Sequence, residues 1–308
     1  MATPDYFAAM TRTSGSRPPA RRNTSGLARD LEILDLLASP EAQREGGLRV
    51  LRIAELVGRD KAAVSRALAT LADAELLARD PERLTYHLGS RLYALAARTG
   101  EAALTQRARP LLRQIVQSAR ETTHLCVLRG GNVLTLVSEL SPHEVGTAGW
   151  AGTTSAAWRT PSGRVLISDW DRASVDSWYA AHGRDRALVN PQESRAPGAF
   201  SVLVEPPPDT LAVRDLATLH TELEQIRQRG YATSDEELEQ GVVAASAPVW
   251  DATGSIVAAL NVSAPKSRLG QRLEDLGAYV ARCGATLSAE LGGPARSTAA
   301  VRTTGARR

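Results

Sequence analysis

The chain is poor in cysteine and in aromatic residues: its 308 residues include two cysteines and 4% aromatics. Cys126 and Cys283 are isolated and far apart, so they cannot form a zinc cluster, and such sparse cysteines suit a reducing compartment. No apolar run approaches the length of a membrane span. The N-terminal stretch MATPDYFAAM lacks the basic start and apolar core of a secretory signal. We therefore expect a globular, cytoplasmic protein that does not contact a membrane.

Common catalytic motifs are also missing. The sequence contains no G-x-S-x-G elbow, H-E-x-x-H pair, P-loop or G-x-G-x-x-G fingerprint, and we predict no cofactor, no metal site and no catalytic residue. A Cys–His pair remains conceivable, because His124 and His143 lie near Cys126 in the sequence. Cys126 falls inside an alternating β run, where a cysteine more often belongs to the core. An enzyme using Cys126 and His124 is kept as a minor alternative.

Positive charge is concentrated at the two ends of the chain. The first 29 residues hold five arginines against Asp5, and the last 18 hold four arginines and no acid. The formal net charge is only +3, so the rest of the chain is net acidic. Both ends are rich in Ser, Thr, Pro, Gly and Arg, and we predict disordered basic tails at 1–26 and 293–308. The high isoelectric point is therefore no sign that the folded body binds nucleic acid, although the N-terminal tail could contact phosphates.

The stretch from Arg52 to Leu77 has the pattern of a helix-turn-helix. Apolar residues recur at helical spacing on both sides of a turn at Val57–Gly58–Arg59. The second helix would turn Val64, Leu68 and Leu71 inward. Its outward face then carries Lys61, Ala62, Ser65, Arg66, Ala69 and Thr70. Cations, hydroxyls and small residues suit a helix in a DNA major groove, but a solvated helix in any bundle could carry the same face.

The flanking segments favour a winged helix-turn-helix over residues 27–90. A helix is predicted over Leu27 to Ser39, followed by a polar loop from Glu41 to Gly47. After the second helix comes a polar turn, Arg79 to Arg83, and then an alternating strand from Leu84 to Leu88. This turn would be the wing, where Arg79 and Arg83 could reach a phosphate or the minor groove. Residues 91–121 read as a helical linker whose apolar face could dock the next domain or pair two subunits.

From residue 122 to residue 292 the pattern is that of an α+β sheet domain. A hairpin is predicted around Gly130–Gly131–Asn132, and a second pair of strands around the turn at Asp251–Gly254. The remaining predicted elements are a helix from Ser162 to Trp170, a short helix from Ala173 to His182, a proline-rich loop from Asn190 to Asp209, a helix from Val213 to Arg229 and a closing helix from Leu269 to Leu291. Glu236, Glu237 and Glu239 read as a solvated acidic turn, although the acidic pair could also bind a cation.

Three segments together resemble the IclR family of bacterial transcriptional regulators. They are LRIAELVGRDKAAVSRALATLADAELL with its wing, TPSGRVLIS at 160–168, and RGYATSDEELEQGVVAASAPVWDATGSIVAALNVSAP at 229–265. The third is the most specific, and the resemblance covers roughly residues 27 to 292. It implies a winged helix-turn-helix, a helical linker that dimerises, and a C-terminal GAF-like effector-binding domain at 122–292.

The function that this resemblance implies is ligand-controlled binding to double-stranded operator DNA. Such proteins bind operators as homodimers or dimers of dimers, and repression is the commoner mode. Small molecules in the C-terminal domain, often carboxylates or aromatics, alter operator affinity. A DNA-binding protein whose C-terminal domain serves only oligomerisation is the alternative, and ligands that raise its melting temperature would distinguish the two.

We expect eight residues to contact DNA, six on and before the recognition helix and two in the wing. They are Arg59, Lys61, Ala62, Ser65, Arg66, Thr70, Arg79 and Arg83. Arg66 is the best candidate to read guanine through two hydrogen bonds. Lys61 and Ser65 could equally hold phosphates, which position the protein without specifying sequence. Asp60 is expected to cap the recognition helix.

The effector pocket is carried over from the resemblance onto four segments of the C-terminal domain. Its expected residues are Glu144, Val145, Thr160, Pro161, Ser162, Gly163, Ser234, Asp235, Val242, Ala244, Asn261 and Ser263. The helix that begins before Val165 could hold an anion with its backbone N–H groups and Ser162, or Ser162 could simply cap it. Asn261 and Ser263 alternate onto one strand face beside the small Ala244. The chain departs from the family pattern at Trp158 and Arg164, where a His and a Lys are usual, and at Ala244 and Asn261, where Cys or Ser is frequent.

Overall fold

The computed structural model describes residues 26–147, 150–188 and 211–294. The predicted loop from Asn190 to Asp209 and nearly all of both predicted tails lie outside the described residues. The chain divides into two compact units, and the division falls between Ala103 and Leu104. Within the described ranges, no helix is long and apolar enough to cross a membrane.

The first unit is a small helical domain with a three-stranded antiparallel sheet. Its strands are ordered β1-β3-β2. In chain order its elements are α1 (Gly26–Leu37), α2 (Pro40–Glu45), β1 (Leu48–Arg49), α3 (Val50–Val57), α4 (Lys61–Asp73), β2 (Leu77–Arg79), β3 (Thr85–Leu88) and α5 (Ser90–Ala96). The predicted winged helix-turn-helix order is present, with α3 and α4 as its two helices and the β2–β3 hairpin as its wing.

One expectation in this unit was wrong: the predicted polar loop after α1 contains the helix α2. The Ser39 hydroxyl accepts a hydrogen bond from the Ala42 N–H, and Pro40 occupies the first helical turn, where its missing N–H is not needed. Gly46 ends the helix in the left-handed conformation, with φ of 67°. A cap followed by proline and closed by glycine is therefore enough to fold a short helix without an apolar stripe.

A single apolar core holds the helix-turn-helix together. Ile33, Leu48, Ile53, Val64 and Leu68 are all fully buried in it. Between α3 and α4, Gly58 adopts φ of 63°, a conformation that a residue with a side chain rarely takes. This burial fixes which face of α4 is turned to solvent.

The second unit is built on a six-stranded antiparallel sheet ordered β6-β5-β4-β9-β8-β7. Its helices are α6 (Gly100–Ala119, shared with the end of the first unit), α7 (Pro161–Leu166), α8 (Arg172–His182), α9 (Leu216–Arg229), α10 (Lys266–Leu269) and α11 (Leu273–Glu290). Its strands are β4 (Thr122–Arg129), β5 (Asn132–Glu139), β6 (Thr154–Ser155), β7 (Ala232–Asp235), β8 (Val242–Trp250) and β9 (Ile256–Pro265). The predicted α+β class is confirmed.

Strand alternation gives this sheet two different faces. On one face, residues such as Leu125, Leu260 and Ala245 pack in one apolar cluster with α6 and α11. On the other face, residues such as Cys126 and Ala259 pack with α7, α8 and α9. The apolar stripe of α6 from Leu104 onward is thus buried against the sheet of the second unit. Docking onto this domain is one of the two roles predicted for the linker.

The predicted helix from Ser162 to Trp170 is shorter than expected. α7 ends at Leu166, because Ile167 leaves the helical conformation at φ of −108° and ψ of 4°. Gly163 lies so close to the preceding turn that a Cβ atom would sit 2.1 Å from the Ala157 carbonyl oxygen. The fold therefore needs glycine here to bring α7 against the turn that precedes it.

Candidate DNA surface and effector cleft

The exposed face of α4 carries the predicted DNA-reading residues. Asp60 caps the helix, because its Oδ1 accepts hydrogen bonds from the backbone N–H groups of Ala62 and Ala63 at 2.9 and 3.1 Å. With Val64, Leu68 and Leu71 buried, Lys61, Ala62, Ser65, Arg66 and Thr70 are exposed together on the opposite side. Within the described part of the chain, Lys61 and Arg66 form no ion pair.

The other cations expected at DNA are held differently from Lys61 and Arg66. Arg59 donates a hydrogen bond to the carbonyl oxygen of Arg29 at 3.2 Å, so its guanidinium is tied to α1. Arg79 lies 5.8 Å from the ring centroid of Tyr86, in a cation–π contact along the wing. The Thr70 hydroxyl donates a hydrogen bond to the carbonyl oxygen of Arg66, so its hydrogen is already bonded within α4.

Arg83 stands at the tip of a rigid wing turn. The Asp80 carboxylate accepts hydrogen bonds from the backbone N–H groups of Glu82 and Arg83 at 2.9 and 3.0 Å. The bond from Arg83 is the main cause that holds the pKa of Asp80 below its ordinary value. Arg49 donates to the carbonyl oxygen of Arg83 at 3.2 Å, so the turn is tied to the body while the Arg83 side chain is exposed.

The second unit contains a cleft on the sheet face that α7 covers. Its cavity volume is about 80 Å³, and it is lined by strands β4 to β9, the loop before β6, the loop between β7 and β8 and the start of α7. Its lining residues are His124, Cys126, Val133, Thr135, Thr147, Trp150, Ser155, Thr160, Pro161, Ser162, Ser234, Leu238, Glu239, Val242, Ala244, Asn261 and Ser263. A concave site with many hydroxyl groups and few charges is suited to a small ligand.

Eight of the twelve residues expected in the effector pocket line this cleft together: Thr160, Pro161, Ser162, Ser234, Val242, Ala244, Asn261 and Ser263. Four do not. Glu144 and Val145 are exposed to solvent, Asp235 pairs with Lys266 at 2.8 Å, and Gly163 packs against Ala157. They remain near the cleft along the chain, but their side chains lie outside it.

Sequence reasoning missed the half of the cleft that β4, β5 and the loop after β5 supply. The sequence pattern marks His124 only as a conceivable catalytic partner of Cys126, and it does not mark Thr135, Thr147 or Trp150. His124 lies opposite Asn261 in the β4–β9 pairing, so both project to the same face. Period-two alternation predicts that His124 and Cys126 share a face of β4. It cannot predict that His124 lies opposite Asn261, because neither strand's sequence determines the register between the two.

His124 links the sheet to the loop that borders the cleft. Its Nδ1 lies 2.8 Å from the Ser138 hydroxyl and its Nε2 lies 3.0 Å from the Ser263 hydroxyl. Ser138 in turn accepts a hydrogen bond from the Trp150 N–H at 3.0 Å, and Ser263 contacts the Thr147 hydroxyl at 2.8 Å. One arrangement satisfies every group: Ser138 donates to Nδ1, and a neutral imidazole donates from Nε2 to Ser263.

Burial keeps this imidazole neutral, and the consequence is a pH-dependent stability. Burial lowers the pKa of His124 from 6.5 to about 4. The unfolded chain therefore binds a proton more readily, so stability is full above pH 6.5 and is lost as the pH falls toward 4. A shift of this size corresponds to about 3 kcal/mol.

We expect His124→Gln to lack this acid-dependent loss of stability, which urea unfolding measures as a free energy at each pH. The free-energy gap between wild type and His124→Gln should narrow by about 3 kcal/mol between pH 7 and pH 4. The control is His87→Gln, at an exposed position on β3, and the narrowing for His124→Gln should exceed any change of the gap for this control. A gap for His124→Gln that stays constant with pH would contradict the neutral buried imidazole.

The cleft does not assemble a catalytic Cys–His pair. The Cys126 sulfur contacts the Thr135 hydroxyl at 3.7 Å, while both ring nitrogens of His124 are occupied by serines. Burial raises the pKa of Cys126 to about 11, so the thiol is protonated and not nucleophilic at neutral pH.

The start of α7 does not offer the anion site that the sequence suggested. The Thr160 hydroxyl accepts from the Gly163 N–H at 3.1 Å, and Pro161 has no N–H to give. The Ser162 hydroxyl, instead of being free for a ligand, lies 3.0 Å from the Ser246 hydroxyl. A one-turn helix with a capped end has little positive potential left to offer an anion.

Arg164 and Glu237 form a fully buried ion pair directly behind the cleft. Arg164 Nη1 lies 2.8 Å from Glu237 Oε2, and Nη2 lies 3.1 Å from Oε1. Arg164 also donates to the Thr233 carbonyl oxygen, and Glu237 accepts from the Ala212 N–H. Burial lowers the pKa of Arg164, but the Glu237 charge more than offsets this, and the pKa is raised overall. The expectation of a solvated acidic turn was thus wrong for Glu237, which is 4% exposed.

A winged helix-turn-helix joined to an α+β domain with a ligand-sized cleft defines a class of two-domain regulators. Residues 26–81 match the "IclR helix-turn-helix domain" and residues 207–289 match "Bacterial transcriptional regulator IclR C-terminal". Both matches are to domains of one family, and they support an IclR-family transcriptional regulator. This is a family of regulators and not of enzymes.

Individual relatives share a moderate part of the sequence. The transcriptional regulator BhcR of Paracoccus denitrificans is 31% identical over 189 residues, which cover 60% of this chain and 59% of that protein. The regulator XynR of Escherichia coli is 27% identical over 217 residues, covering 70% of this chain and 78% of the relative. The match to BhcR thus spans about three fifths of that relative's length.

Solved structures show the same fold at lower identity. The IclR of Thermotoga maritima superposes with a TM-score of 0.62 at 20% identity, covering 86% of this chain and 98% of the other. An IclR homolog of Microbacterium hydrocarbonoxydans, solved in complex with 4-hydroxybenzoate, gives a TM-score of 0.63 at 20% identity, covering 86% and 100%.

Proposed function

We propose that this protein is a transcriptional regulator that binds operator DNA through α4 and the wing, and whose affinity for the operator depends on a small molecule bound in the effector cleft. The observation that carries the first half is the exposed face of α4, where Lys61 and Arg66 stand free of ion pairs within the described residues. A guanidinium at that position suits two hydrogen bonds to a guanine edge. The recognition face is otherwise formed by small and hydroxyl-bearing residues, which let the helix approach the base edges closely.

Charge in the first unit favours a binding mode that depends on geometry. Residues 21–90 contain as many acidic as basic side chains, so no general basic field attracts DNA. The few phosphate and base contacts must then be placed accurately, by the capped α4 and by the wing that Asp80 stiffens. The arginines of the N-terminal tail would add a salt-dependent, sequence-independent contribution.

The second half of the proposal rests on the cleft. Most hydroxyl groups of the cleft and its imidazole are hydrogen-bonded within the protein, but a buried polar atom without a partner costs free energy until a ligand or water reaches it. Asn261 Oδ1 is buried and has no hydrogen-bond partner among the described residues. The 4-hydroxybenzoate complex of an IclR homolog supports effector binding in a protein of this fold.

The sheet offers a route from ligand to linker. The cleft opens on one face of β4 and β9, while Leu104, Leu111 and Ile115 of α6 are buried in the cluster on the opposite face. A ligand that shifts these strands must therefore change the packing of α6 on the sheet. The chain passes from the first unit to the second within this helix.

Self-association completes the proposal. None of the residues of α5 is buried, and Tyr93 and Leu95 are 80% and 52% exposed. Leu27 and Leu31 of α1 are also largely exposed. Large apolar side chains left in water mark a contact surface, and a second copy of the chain would place two recognition helices on two half-sites.

Footprinting on the DNA upstream of the protein's own coding region tests this function. We expect protection of two half-sites about 10 base pairs apart or a multiple of this spacing, and a native mass of at least a dimer by sedimentation. Binding to all DNA sequences with equal affinity would contradict operator recognition. A melting temperature that no compound of a broad metabolite panel raises would favour the ligand-free alternative.

A further inference from the structure

We propose that the effector cleft selects a small organic amine and disfavours carboxylates. This inference rests on the proposed function of the cleft as an effector site and names the chemical class of its ligand. It departs from the expectation, carried by the family resemblance, that the effector is often a carboxylate.

Within the described residues, the cleft lining contains an acidic side chain but no basic one. Among the described residues that line it, Glu239 is the one carboxylate, and no lysine or arginine is present. The Glu239 side chain forms no hydrogen bond or ion pair within the described ranges. Glu239 is half-buried, and burial raises the pKa of its carboxyl group.

The cations on segments that adjoin the cleft have partners outside its lining. The Arg164 guanidinium is held by both oxygens of Glu237, and the Lys266 ammonium lies between Asp235 and Glu236 at 2.8 and 2.7 Å. Arg159, which precedes Thr160, lies 5.3 Å from the ring centroid of Trp158 in a cation–π contact. An anionic ligand would therefore lie beside Glu239 with no basic side chain among the described lining residues to pair with it, which is unfavourable.

A second acceptor points to the same chemistry. Asn261, which is 8% exposed and lines the cleft, has a buried Oδ1 without a partner among the described residues. A buried acceptor that lacks a partner costs free energy until a donor reaches it. An ammonium group has three N–H donors and no acceptor, so it can donate to both the Glu239 carboxylate and Asn261 Oδ1. An ionised carboxylate ligand has only acceptors and can donate to neither.

The neutral groups of the cleft suit the remainder of such a ligand. Ser234, Thr135 and Thr160 provide hydroxyl groups that donate or accept, and His124 is uncharged near neutral pH. A cavity volume of about 80 Å³ holds a few heavy atoms of the ligand, and the rest of the ligand would extend toward solvent. The specificity would therefore come from the charge at Glu239 and the acceptor at Asn261.

Three probes of one skeleton test the inference: ethanolamine, 1,2-ethanediol and glycolate, titrated calorimetrically into the full chain at neutral pH and matched ionic strength. We expect affinity to fall in that order. Glu239→Gln should lower ethanolamine affinity roughly 10- to 100-fold while leaving 1,2-ethanediol nearly unchanged. Glu290→Gln, at an exposed position on α11, is the matched control and should change nothing.

Each other outcome overturns the proposal. Glycolate binding at least as tightly as ethanolamine, no binding of ethanolamine, or an ethanolamine affinity that Glu239→Gln leaves unchanged would each do so. The comparison of the three probes on wild type needs no variant, so it stands even if Glu239→Gln were to fold poorly. Operator binding is measured on the same preparation without any probe, so a protein that binds DNA but prefers glycolate refutes only the ligand class.

Discussion

Replacing Arg66 with alanine is expected to abolish most of the discrimination between operator and unrelated DNA. Arg66 is exposed on α4 between Ala62 and Thr70, where it can place its guanidinium against a guanine edge. A two-bonded guanine contact contributes about 1–3 kcal/mol of discrimination. In a dimer the loss occurs at both half-sites, so the expected loss in the specificity ratio is on the order of a hundredfold or more.

Lys61→Ala distinguishes base-specific recognition from sequence-independent binding to phosphates. If Lys61 holds a phosphate, its loss should weaken binding to all sequences alike and reduce the slope of log affinity against log salt by about 1 per contact. Arg44→Ala, at an exposed position on α2 outside the proposed DNA surface, should leave both quantities unchanged. An Arg66→Ala protein with the wild-type footprint and affinity would show that Arg66 does not read the operator. Fluorescence anisotropy with operator and scrambled duplexes measures all of these quantities.

Glu237→Gln is expected to cause the largest loss of stability of any single substitution considered for the second unit. The change would leave the Arg164 guanidinium, which is 0% exposed, without its countercharge. Breaking a buried pair by removing one partner costs about 3–5 kcal/mol, because the remaining charge is buried and uncompensated. The bond from the Ala212 N–H to Glu237 would also weaken, which loosens the segment before α9.

A double variant distinguishes an uncompensated charge from a simple loss of packing. Arg164→Met with Glu237→Met should be less destabilised than either single substitution, since no charge is then left in the interior. Glu224→Gln removes one side of an exposed pair with Arg227 at 3.3 Å, and should cost less than about 1 kcal/mol in urea unfolding. A Glu237→Gln protein as stable as Glu224→Gln would contradict the role assigned to the buried pair.

Local periodicity was sufficient for the helix-turn-helix. Val64, Leu68 and Leu71 repeat at helical spacing, and the same residues are buried in the structure, so the exposed face follows without further information. The helix α2 was missed because its stability comes from its caps at Ser39 and Gly46 and not from an apolar stripe. Short capped helices give a weaker sequence signal than long amphipathic ones.

The cleft could be predicted only in part, because strand pairing brings together residues that are far apart in sequence. Alternation alone placed Asn261 and Ser263 on one face, and the structure confirms that they share it. His124 joins them from 139 residues away through the β4–β9 register. A register shift between Leu125 and Cys126 in the β4–β5 pairing also decides which β5 residues face the cleft, and no local pattern reveals it.

The buried ion pair illustrates a second limit. Arg164 and Glu237 are separated by 73 residues, and Glu237 lies in a segment that reads as a solvated acidic turn. Only the tertiary packing of α7 and the turn after β7 removes both charges from water. The sequence therefore indicates that charges are present but not that they meet.

The central claim is that the effector cleft and the operator surface are coupled, and reciprocal affinity measurements test it most directly. With a compound that raises the melting temperature of the wild-type protein, the operator Kd is measured with and without the compound, and the compound Kd with and without operator. Coupling requires the two ratios to be equal and different from 1, by about 5- to 150-fold in a typical allosteric protein. A compound that binds the cleft, as shown by loss of binding in Asn261→Ala, yet leaves operator affinity unchanged would contradict the account.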